Sequence, residues 1–258
     1  MTDQPRCDLL CLSPHPDDAE IALGGTLRLL AERGRRVWAA ELTRGEMATN
    51  ADVEERWHES IRAAEVLGLA GRAQLALPDG FIDASDRAQV AAVAWLVRQL
   101  RPRWVLTAPK PRRHPDHLAT PGLVRRAVFL ARLRTYQPQA PQVWWWPGAP
   151  PHAAQAADPT EPWIVEAVGD TCAPDDRPTA YFDVSSTWQA KLDALACHAS
   201  QFQRRPGSHA TWINDDRFLA GVEDLARVWG RRAGVAHAEA VRMDGAPVLT
   251  DLPPEIWA

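Results

Sequence analysis

The chain has 258 residues, of which 46% are hydrophobic and 24% are charged, and its formal net charge is −4. This balance supports a packed core and lacks the basic surplus of a nucleic-acid-binding protein, so we expect no nucleic-acid partner. No apolar run reaches the roughly 18 residues of a membrane-spanning helix, and the first apolar stretch is too short for a signal peptide. We therefore expect a cytoplasmic protein without membrane contact.

The first half of the chain alternates strand and helix signals. Strands are predicted over residues 8–13, 37–42, 73–77 and 104–108, and helices over residues 24–33, 53–67, 86–100 and 118–133. This alternation is typical of an α/β fold of the Rossmann type, a mostly parallel sheet with helices on both faces. The glycines before Thr26 lack the lysine and spacing of a phosphate loop, so they indicate close packing of a helix on the sheet.

Residues 137–162 are rich in Pro, Ala and Gln and predict an edge strand followed by a long loop or lid. They contain three consecutive tryptophans, Trp144, Trp145 and Trp146. Three neighbours cannot share one face of a strand, so we expect at least one to meet solvent, a partner or a ligand.

The C-terminal portion is less regular. It predicts a strand over residues 180–184, a helix that Asp183 or Ser185 caps and that runs through residue 198, and a last helix over residues 215–232. Because no stretch reads as a linker, we predict one domain spanning residues 1–258.

The four cysteines follow no zinc-ribbon or redox spacing. We interpret Cys7, Cys11, Cys172 and Cys197 as core or incidental thiols.

A polar cluster, Ser-Pro-His-Pro-Asp-Asp-Ala-Glu at residues 13–20, follows the first predicted strand directly. It places one imidazole and three carboxylates at the carboxyl end of a strand, where open α/β sheets bind ligands. A helix cap would explain a single aspartate. It explains less well a histidine between two prolines followed by Asp17 and Asp18, because the prolines restrict the backbone as a rigid ligand set requires.

A second cluster, His114-Pro115-Asp116-His117, follows the strand predicted over residues 104–108 and precedes a helix. A lone histidine is usually structural, but two such clusters at the ends of different strands are typical of a metal site. One histidine and one carboxylate from the first cluster, with one histidine from the second, would leave a fourth zinc position open, as in catalytic zinc sites.

The two motifs, PHPDDAEIALGGT and HPDH, resemble the LmbE/PIG-L family of zinc-dependent de-N-acetylases. The likeness continues through residues 42–47, 77–80, 127–131 and 191–202. Residues 48–56 and 198–202 are most similar to the bacillithiol branch, whose members deacetylate N-acetylglucosaminyl malate. The resemblance implies a metal-dependent amidohydrolase with a small amino-sugar substrate, and a homo-oligomer, either a trimer or a hexamer.

The resemblance also implies residue roles. His15, Asp18 and His117 would bind one Zn²⁺ per chain, with Fe²⁺ as an alternative in the reducing cytoplasm. Asp17 would be the general base for the water that the metal activates.

Four further roles follow from the same likeness. His114, as a cation, would stabilise the developing oxyanion and assist the leaving amine, and Asp116 would orient His114. Glu46 and Arg56 would contact the sugar or its acidic substituent.

Other interpretations stay open from sequence. The substrate could be another acetylated amino sugar, such as a mycothiol-type inositol conjugate or an antibiotic intermediate. A metal- or sugar-binding protein without turnover would need neither Asp17 nor His114, and a two-metal phosphoesterase would need more carboxylates. Glu20 is as readily structural as functional, and His198 lies in a family-like segment within possible reach of the site.

Overall fold

The computed structural model describes residues 7–107, 114–150, 162–169 and 177–243. Within these ranges the strands, in chain order, are β1 (Leu9–Ser13), β2 (Val37–Glu41), β3 (Gly71–Leu75), β4 (Trp104–Thr107), β5 (Val143–Trp146), β6 (Trp163–Ala167), β7 (Ala180–Asp183) and β8 (Ala238–Met243). The helices are α1 (Asp18–Glu32), α2 (Val53–Leu67), α3 (Arg87–Leu100), α4 (Pro115–Ala131), α5 (Trp188–Cys197), α6 (Ala199–Phe202) and α7 (Asp216–Ala233).

The described strands form one sheet in the order β5-β3-β2-β1-β4-β6-β8-β7. The five strands from β3 to β6 in this order are parallel, whereas β5, β8 and β7 pair antiparallel at the two sides. Parallel strands align their carboxyl ends at one edge, so the loops after β1, β2, β3 and β4 meet there. The predicted α/β architecture is confirmed.

Both faces of the sheet are covered, and β1 shows why. Leu10 and Leu12 pack into the core shared with α3 and α4, whereas Leu9 and Cys11 pack into the core shared with α1, α2 and α5. Successive side chains of a strand point to opposite faces, so a wholly apolar strand requires helices on both sides.

Aspartates begin three of the helices. The side chains of Asp52, Asp86 and Asp215 accept hydrogen bonds from the first free amides of α2, α3 and α7. Each cap satisfies donors that have no partner inside the helix. The helices predicted over residues 53–67, 86–100 and 215–232 therefore agree with the structure to within about a residue at either end.

Helix α1 begins six residues earlier than predicted and is broken at Leu23, where φ is −139°. The break frees backbone groups that two buried side chains satisfy. The Glu239 carboxylate accepts from the amides of Gly25 (3.1 Å) and Thr26 (2.7 Å), and Lys191 Nζ donates to the Ile21 carbonyl (2.8 Å) and to Glu239 (2.6 Å).

The glycines of α1 serve close packing, as the sequence indicates. A Cβ on Gly25 would lie 2.7 Å from the Cβ of Val184. That separation is too short for two carbons, so the contact with the β7–α5 connection requires glycine.

The C-terminal portion differs from prediction in two places. Strands β6 and β8 were not predicted, and the helix expected from a cap at Asp183 or Ser185 begins only at Trp188, after Thr187. The Asp183 carboxylate instead accepts from Ser185 in the turn before that helix.

The edge strand predicted around the tryptophans is present as β5. Trp145 packs against Trp38 and Trp95. The Arg44 guanidinium lies over the Trp144 ring, with Cζ 4.0 Å from the ring centre. Alternation along the strand therefore divides the run between two faces.

Cys7 and Cys11 are buried in the core, and Cys197 is half-buried; Cys172 lies outside the described residues. The helices of the described ranges are too short or too polar to cross a membrane.

Candidate metal and active site

The first site loop turns sharply between β1 and α1. Asp17 has φ 102° and ψ −29°, a left-handed conformation that non-glycine residues rarely adopt. Such a conformation costs of order 1–3 kcal/mol and persists where surrounding contacts hold it. The turn sets Asp17 and Asp18 in different directions, with Asp18 entering the first turn of α1.

The three predicted metal ligands converge on one oxygen. The Oδ2 atom of Asp18 lies 3.2 Å from His15 Nδ1 and 3.3 Å from His117 Nε2, and it also accepts the His15 backbone amide at 2.9 Å. All three side chains are about nine-tenths buried. His117 comes from the first turn of α4, so the group joins the ends of β1 and β4, neighbours in the sheet.

The other nitrogen of His15 faces a second pair of carboxylates. His15 Nε2 lies 3.0 Å from Asp79 Oδ1 and 3.0 Å from Asp116 Oδ2. A metal-ligating histidine usually donates its remaining N–H to a carboxylate, which sets the ring orientation. This arrangement therefore fits an ion on the Nδ1 side, with Asp79 and Asp116 behind the ring.

Ligand-type atoms within 4.8 Å of one another form two groups among the described residues, His15 with His114 and His117, and His15 with Asp79 and Asp116. Imidazole nitrogens with a carboxylate oxygen are a donor set that suits Zn²⁺ and also Fe²⁺. The residues present therefore fit a single divalent ion held beside His15.

Charge pairing perturbs the pKa values of this cluster. Burial alone would lower the pKa of His15, but hydrogen bonds to Asp116, Asp18 and Asp79 raise it to about 12. Burial opposes ionisation of Asp18, yet His117 and His15 hold its pKa well below the usual range. The site thus stabilises opposite charges in close contact, as a metal site also must.

Asp116 does not orient His114 in the way predicted. Its carboxylate contacts His15 and accepts the backbone amides of Gly80 (2.8 Å) and Ile82 (3.1 Å). Only the Asp116 backbone N–H meets His114, donating to Nδ1 at 3.3 Å. The carboxylate therefore ties the start of α4 to the loop after β3.

The His114 side chain caps α4, and this hydrogen bond determines which of its ring nitrogens carries a proton. Because Nδ1 accepts the Asp116 amide, the ring is neutral in this geometry and carries its proton on Nε2. Burial lowers the pKa of His114, and the neighbouring His15 and His117 lower it further. The cationic His114 expected from sequence is therefore replaced by a neutral donor, whose ring centre lies 4.6 Å from that of His15.

Arg56 is the largest departure from the predicted site. It is only 5% exposed, and its Nη2 donates to the Pro16 carbonyl and to Asp17 Oδ2 (3.0 Å). A Cβ on Gly45 would overlap the guanidinium. Arg56 thus holds the loop between β1 and α1 through buried contacts, and its guanidinium is not presented at an open surface.

The pKa of Asp17 is raised to about 6. Burial is the largest cause, Arg56 opposes it, and the neighbouring Asp18 adds to it. A carboxylate with this pKa and no bond to the predicted ligand cluster suits proton transfer near neutral pH.

Glu46 also holds a loop in this structure. Its Oε1 accepts the Asp79 amide at 2.9 Å, and the next residue, Met47, donates its amide to Asp79 Oδ2 at 2.9 Å. Asp79 itself was assigned no role from sequence. The signal available for it was a Pro-Asp-Gly turn at the carboxyl end of the third strand.

Glu20 and His198 lie beneath the site. Glu20 is fully buried in an ion pair with Arg72, which also pairs with Glu41, and His198 Nε2 lies 3.5 Å from Glu20. Burial would raise the pKa of Glu20, but Arg72 and His198 lower it to about 2. These contacts support the structural interpretation of Glu20 over the functional one.

The family model described as PIG-L, GlcNAc-PI de-N-acetylase, matches residues 10–128, which contain both motifs and the site. The segment that carries the resemblance to the PIG-L family is therefore the segment that carries the site. The predicted family and its enzyme class, hydrolases of N-acetyl amides, are thereby confirmed.

Curated relatives and a solved structure match most of the chain. The diacetylchitobiose deacetylase of Thermococcus kodakarensis is 29% identical over 91% of this chain and 82% of its own length. A probable N-acetyl-α-D-glucosaminyl L-malate deacetylase of Bacillus cereus is 28% identical over 86% of this chain and 96% of its own. The conserved protein TT1542 of Thermus thermophilus superposes with a TM-score of 0.78 at 28% identity, covering 98% of this chain and 99% of its own.

The PIG-L match does not exclude another reaction on this fold. A 4-oxalmesaconate hydratase of Pseudomonas putida is 28% identical over 76% of this chain and 75% of its own length. The geometry of the site, rather than similarity alone, must therefore support the choice of reaction.

Proposed function

We propose that this protein is a metal-dependent deacetylase, a single domain that hydrolyses the N-acetyl group of an N-acetylglucosamine conjugate to acetate and a free amine. The observation that carries the proposal is that two adjacent aspartates make different contacts. Asp18 lies within 3.3 Å of both predicted histidine ligands, while Asp17 turns away from them with a pKa near 6.

The metal would be held by His15 Nδ1, Asp18 and His117 Nε2, with Asp79 and Asp116 orienting the His15 ring. A divalent ion bound there would polarise the acetyl carbonyl and make a water nucleophilic at neutral pH. The donor set supports Zn²⁺, with Fe²⁺ as the alternative.

The chain's own residues supply the proton transfers. Asp17 takes one proton from the attacking water and returns it to the amine as the C–N bond breaks, while the water oxygen stays on the acetate. The Arg56 guanidinium holds Asp17 in place during both transfers. His114 donates from Nε2 to the carbonyl oxygen on which negative charge develops.

The sequence likeness favours the malate conjugate as substrate, and the Bacillus cereus relative supports that choice. The burial of Arg56 removes the carboxylate contact on which the choice partly depended. The inositol conjugate and antibiotic intermediates therefore remain in the panel of candidate substrates.

The test is to incubate the metal-replete protein with that panel and to quantify acetate and free amine in equal amounts. Chelation should abolish release, and Zn²⁺ or Fe²⁺ should restore it. His15→Ala and His117→Ala should lose most bound metal by elemental analysis. Absence of acetate from every conjugate, with full metal content, would refute the deacetylase. If the protein instead hydrates an unsaturated dicarboxylate, the site is that of a hydratase.

A further inference from the structure

Three large apolar side chains are exposed immediately beside the polar site. Met47 is 67% exposed, Phe81 is 70% exposed and Leu118 is 51% exposed. Each is within two residues of a site residue, and they come from three different connections, after β2, after β3 and in the first turn of α4. We call these three residues the apolar rim.

Contacts in the backbone bring the rim residues together. The Met47 amide bonds to Asp79, and the Met47 sulfur lies 3.3 Å from where a Cβ on Gly80 would be, next to Phe81. The amides on both sides of Phe81 donate to Asp116.

Leu118 lies on the same side of the site. A Cβ on Gly122, one helical turn after Leu118 on the same face of α4, would lie 3.4 Å from Ala84. This contact turns that face of α4 toward the loop that carries Phe81.

The segments that carry the rim are anchored, although the side chains are exposed. The Phe81 amide donates to the Pro78 carbonyl, and the Phe81 carbonyl accepts from Gln89. The loop after Met47 is held by a reciprocal pair, in which Asn50 Nδ2 donates to the His209 carbonyl and Asn50 Oδ1 accepts the His209 amide. Isolated exposed apolar residues are ordinary on protein surfaces, but three on anchored loops around one site indicate a binding surface.

The charges beside the rim favour a neutral occupant over an anionic one. Glu46 is exposed next to Met47. Of the arginines that the structure describes in this region, Arg56 is buried on Asp17, and Arg44 bonds to Gln74 and Glu54. Among these described residues, a carboxylate on the substrate would meet an anion, whereas an alkyl or aryl group would cover apolar surface.

We propose that the apolar rim binds the aglycone of the substrate, and that this aglycone is a neutral apolar group such as an alkyl or aryl chain. The inference rests on the proposed function, because it places the acetylated sugar over His15 and Asp17 and the aglycone over Phe81 and Leu118. It selects conjugates with a hydrophobic substituent over the malate conjugate.

The test compares three N-acetylglucosaminides, with methyl, octyl and malate aglycones, the octyl compound being kept below its micelle concentration. We expect kcat/KM for the octyl compound to exceed that for the methyl compound by about tenfold or more, the gain from covering two or more methylenes. Phe81→Gln and Leu118→Gln should lower this ratio toward one. Phe129→Gln and Leu133→Gln, which alter exposed apolar residues outside the rim, are the matched controls and should keep it.

A binding measurement separates this inference from the proposed function. The corresponding methyl and octyl glucosaminides, which have no acetyl group, are titrated against the same variants. If no acetate is released from any conjugate, the deacetylase fails, but an octyl preference lost only in the rim variants still supports the apolar site.

Two kinds of result would overturn the rim proposal, the first concerning turnover and the second concerning assembly. One is malate turnover equal to or better than octyl turnover, or an octyl preference that survives both rim substitutions. The other is an oligomer, seen by light scattering, that dissociates in Phe81→Gln but not in Phe129→Gln, since the rim would then be a subunit interface.

Discussion

Arg56 donates to Asp17 in the loop between β1 and α1, with Nη2 3.0 Å from Oδ2 and both side chains buried. The contact pairs the one residue of the loop in a left-handed conformation with a guanidinium from α2. Under the proposed function, Arg56 would be a positioning residue that acts on the substrate through Asp17.

The first prediction follows from this pairing. Arg56→Ala should lower kcat roughly tenfold to a hundredfold, since small displacements of a catalytic group cost about that much. The loss should be the same for malate and methyl conjugates, because no substrate group touches the guanidinium. Steady-state rates on the two substrates measure it, with Arg217→Ala on the exposed face of α7 as the control. A loss confined to the malate conjugate would restore Arg56 as a carboxylate-binding residue.

Asp17→Asn tests the general base. The substitution keeps the size of the side chain and an acceptor for Arg56, but it removes the proton acceptor. We expect deacetylation to fall by about two to four orders of magnitude, the usual contribution of general-base catalysis. Metal content, determined on the same samples, should stay at the wild-type level. Wild-type rates in the metal-replete variant would rule out Asp17 as the base.

Asp79→Asn tests whether the carboxylates behind the His15 ring contribute to metal binding. Asp79→Asn weakens the acceptor behind His15 Nε2, so metal affinity should fall about tenfold to a hundredfold, as for other residues that orient metal ligands. Competition with a chromogenic chelator gives the dissociation constant. Asp83→Asn, on the same loop but bonded to Ser85, should bind metal as the wild type does. Equal affinities in all three proteins would show that His15 is oriented without Asp79.

Alanine substitutions at two helical glycines, one in α1 and one in α7, should have opposite effects on the free energy of unfolding. Gly25→Ala should destabilise the fold by about 1–3 kcal/mol, because its Cβ would meet Val184 and force the connection apart. Gly221→Ala, in α7, should stabilise by roughly 0.5–1 kcal/mol, because among the described residues its Cβ would meet no atom within 4 Å beyond its own stretch of helix. Denaturant unfolding of the two variants checks both signs. A neutral Gly25→Ala would mean that β7 and α5 can shift without cost.

Local patterns in the sequence were sufficient for most of the parallel half of the fold. The alternation of Leu10 and Leu12 with Leu9 and Cys11 is visible in the sequence as one apolar run, and Asp52 and Asp86 mark helix starts. These are local signals, in which the residues that form an element also specify it.

The elements that were missed depend on partners far away in the chain. Strands β6 and β8 have no strong local signal, and they form by pairing with β4 and β7. The early start of α1 was hidden by its break at Leu23, because a helix with freed amides requires an acceptor that only the folded chain supplies.

The candidate site divides in the same way. The ligand types and spacing of His15, Asp18 and His117 are a sequence signal, and the structure brings the three together. The neutral form of His114 and the burial of Arg56 follow from the cap of α4 and from contacts between α2 and the first loop, so the motif alone could not predict either.

Glu239 has a consequence for the order in which the protein is made. It accepts the amide of Gly25 across 214 residues of chain, and no local group replaces it in the described structure. During synthesis the helix that begins with Asp18 therefore lacks its acceptor until β8 has left the ribosome. Helix α1 and β8 therefore depend on each other for their packing, although they lie near opposite ends of the described chain.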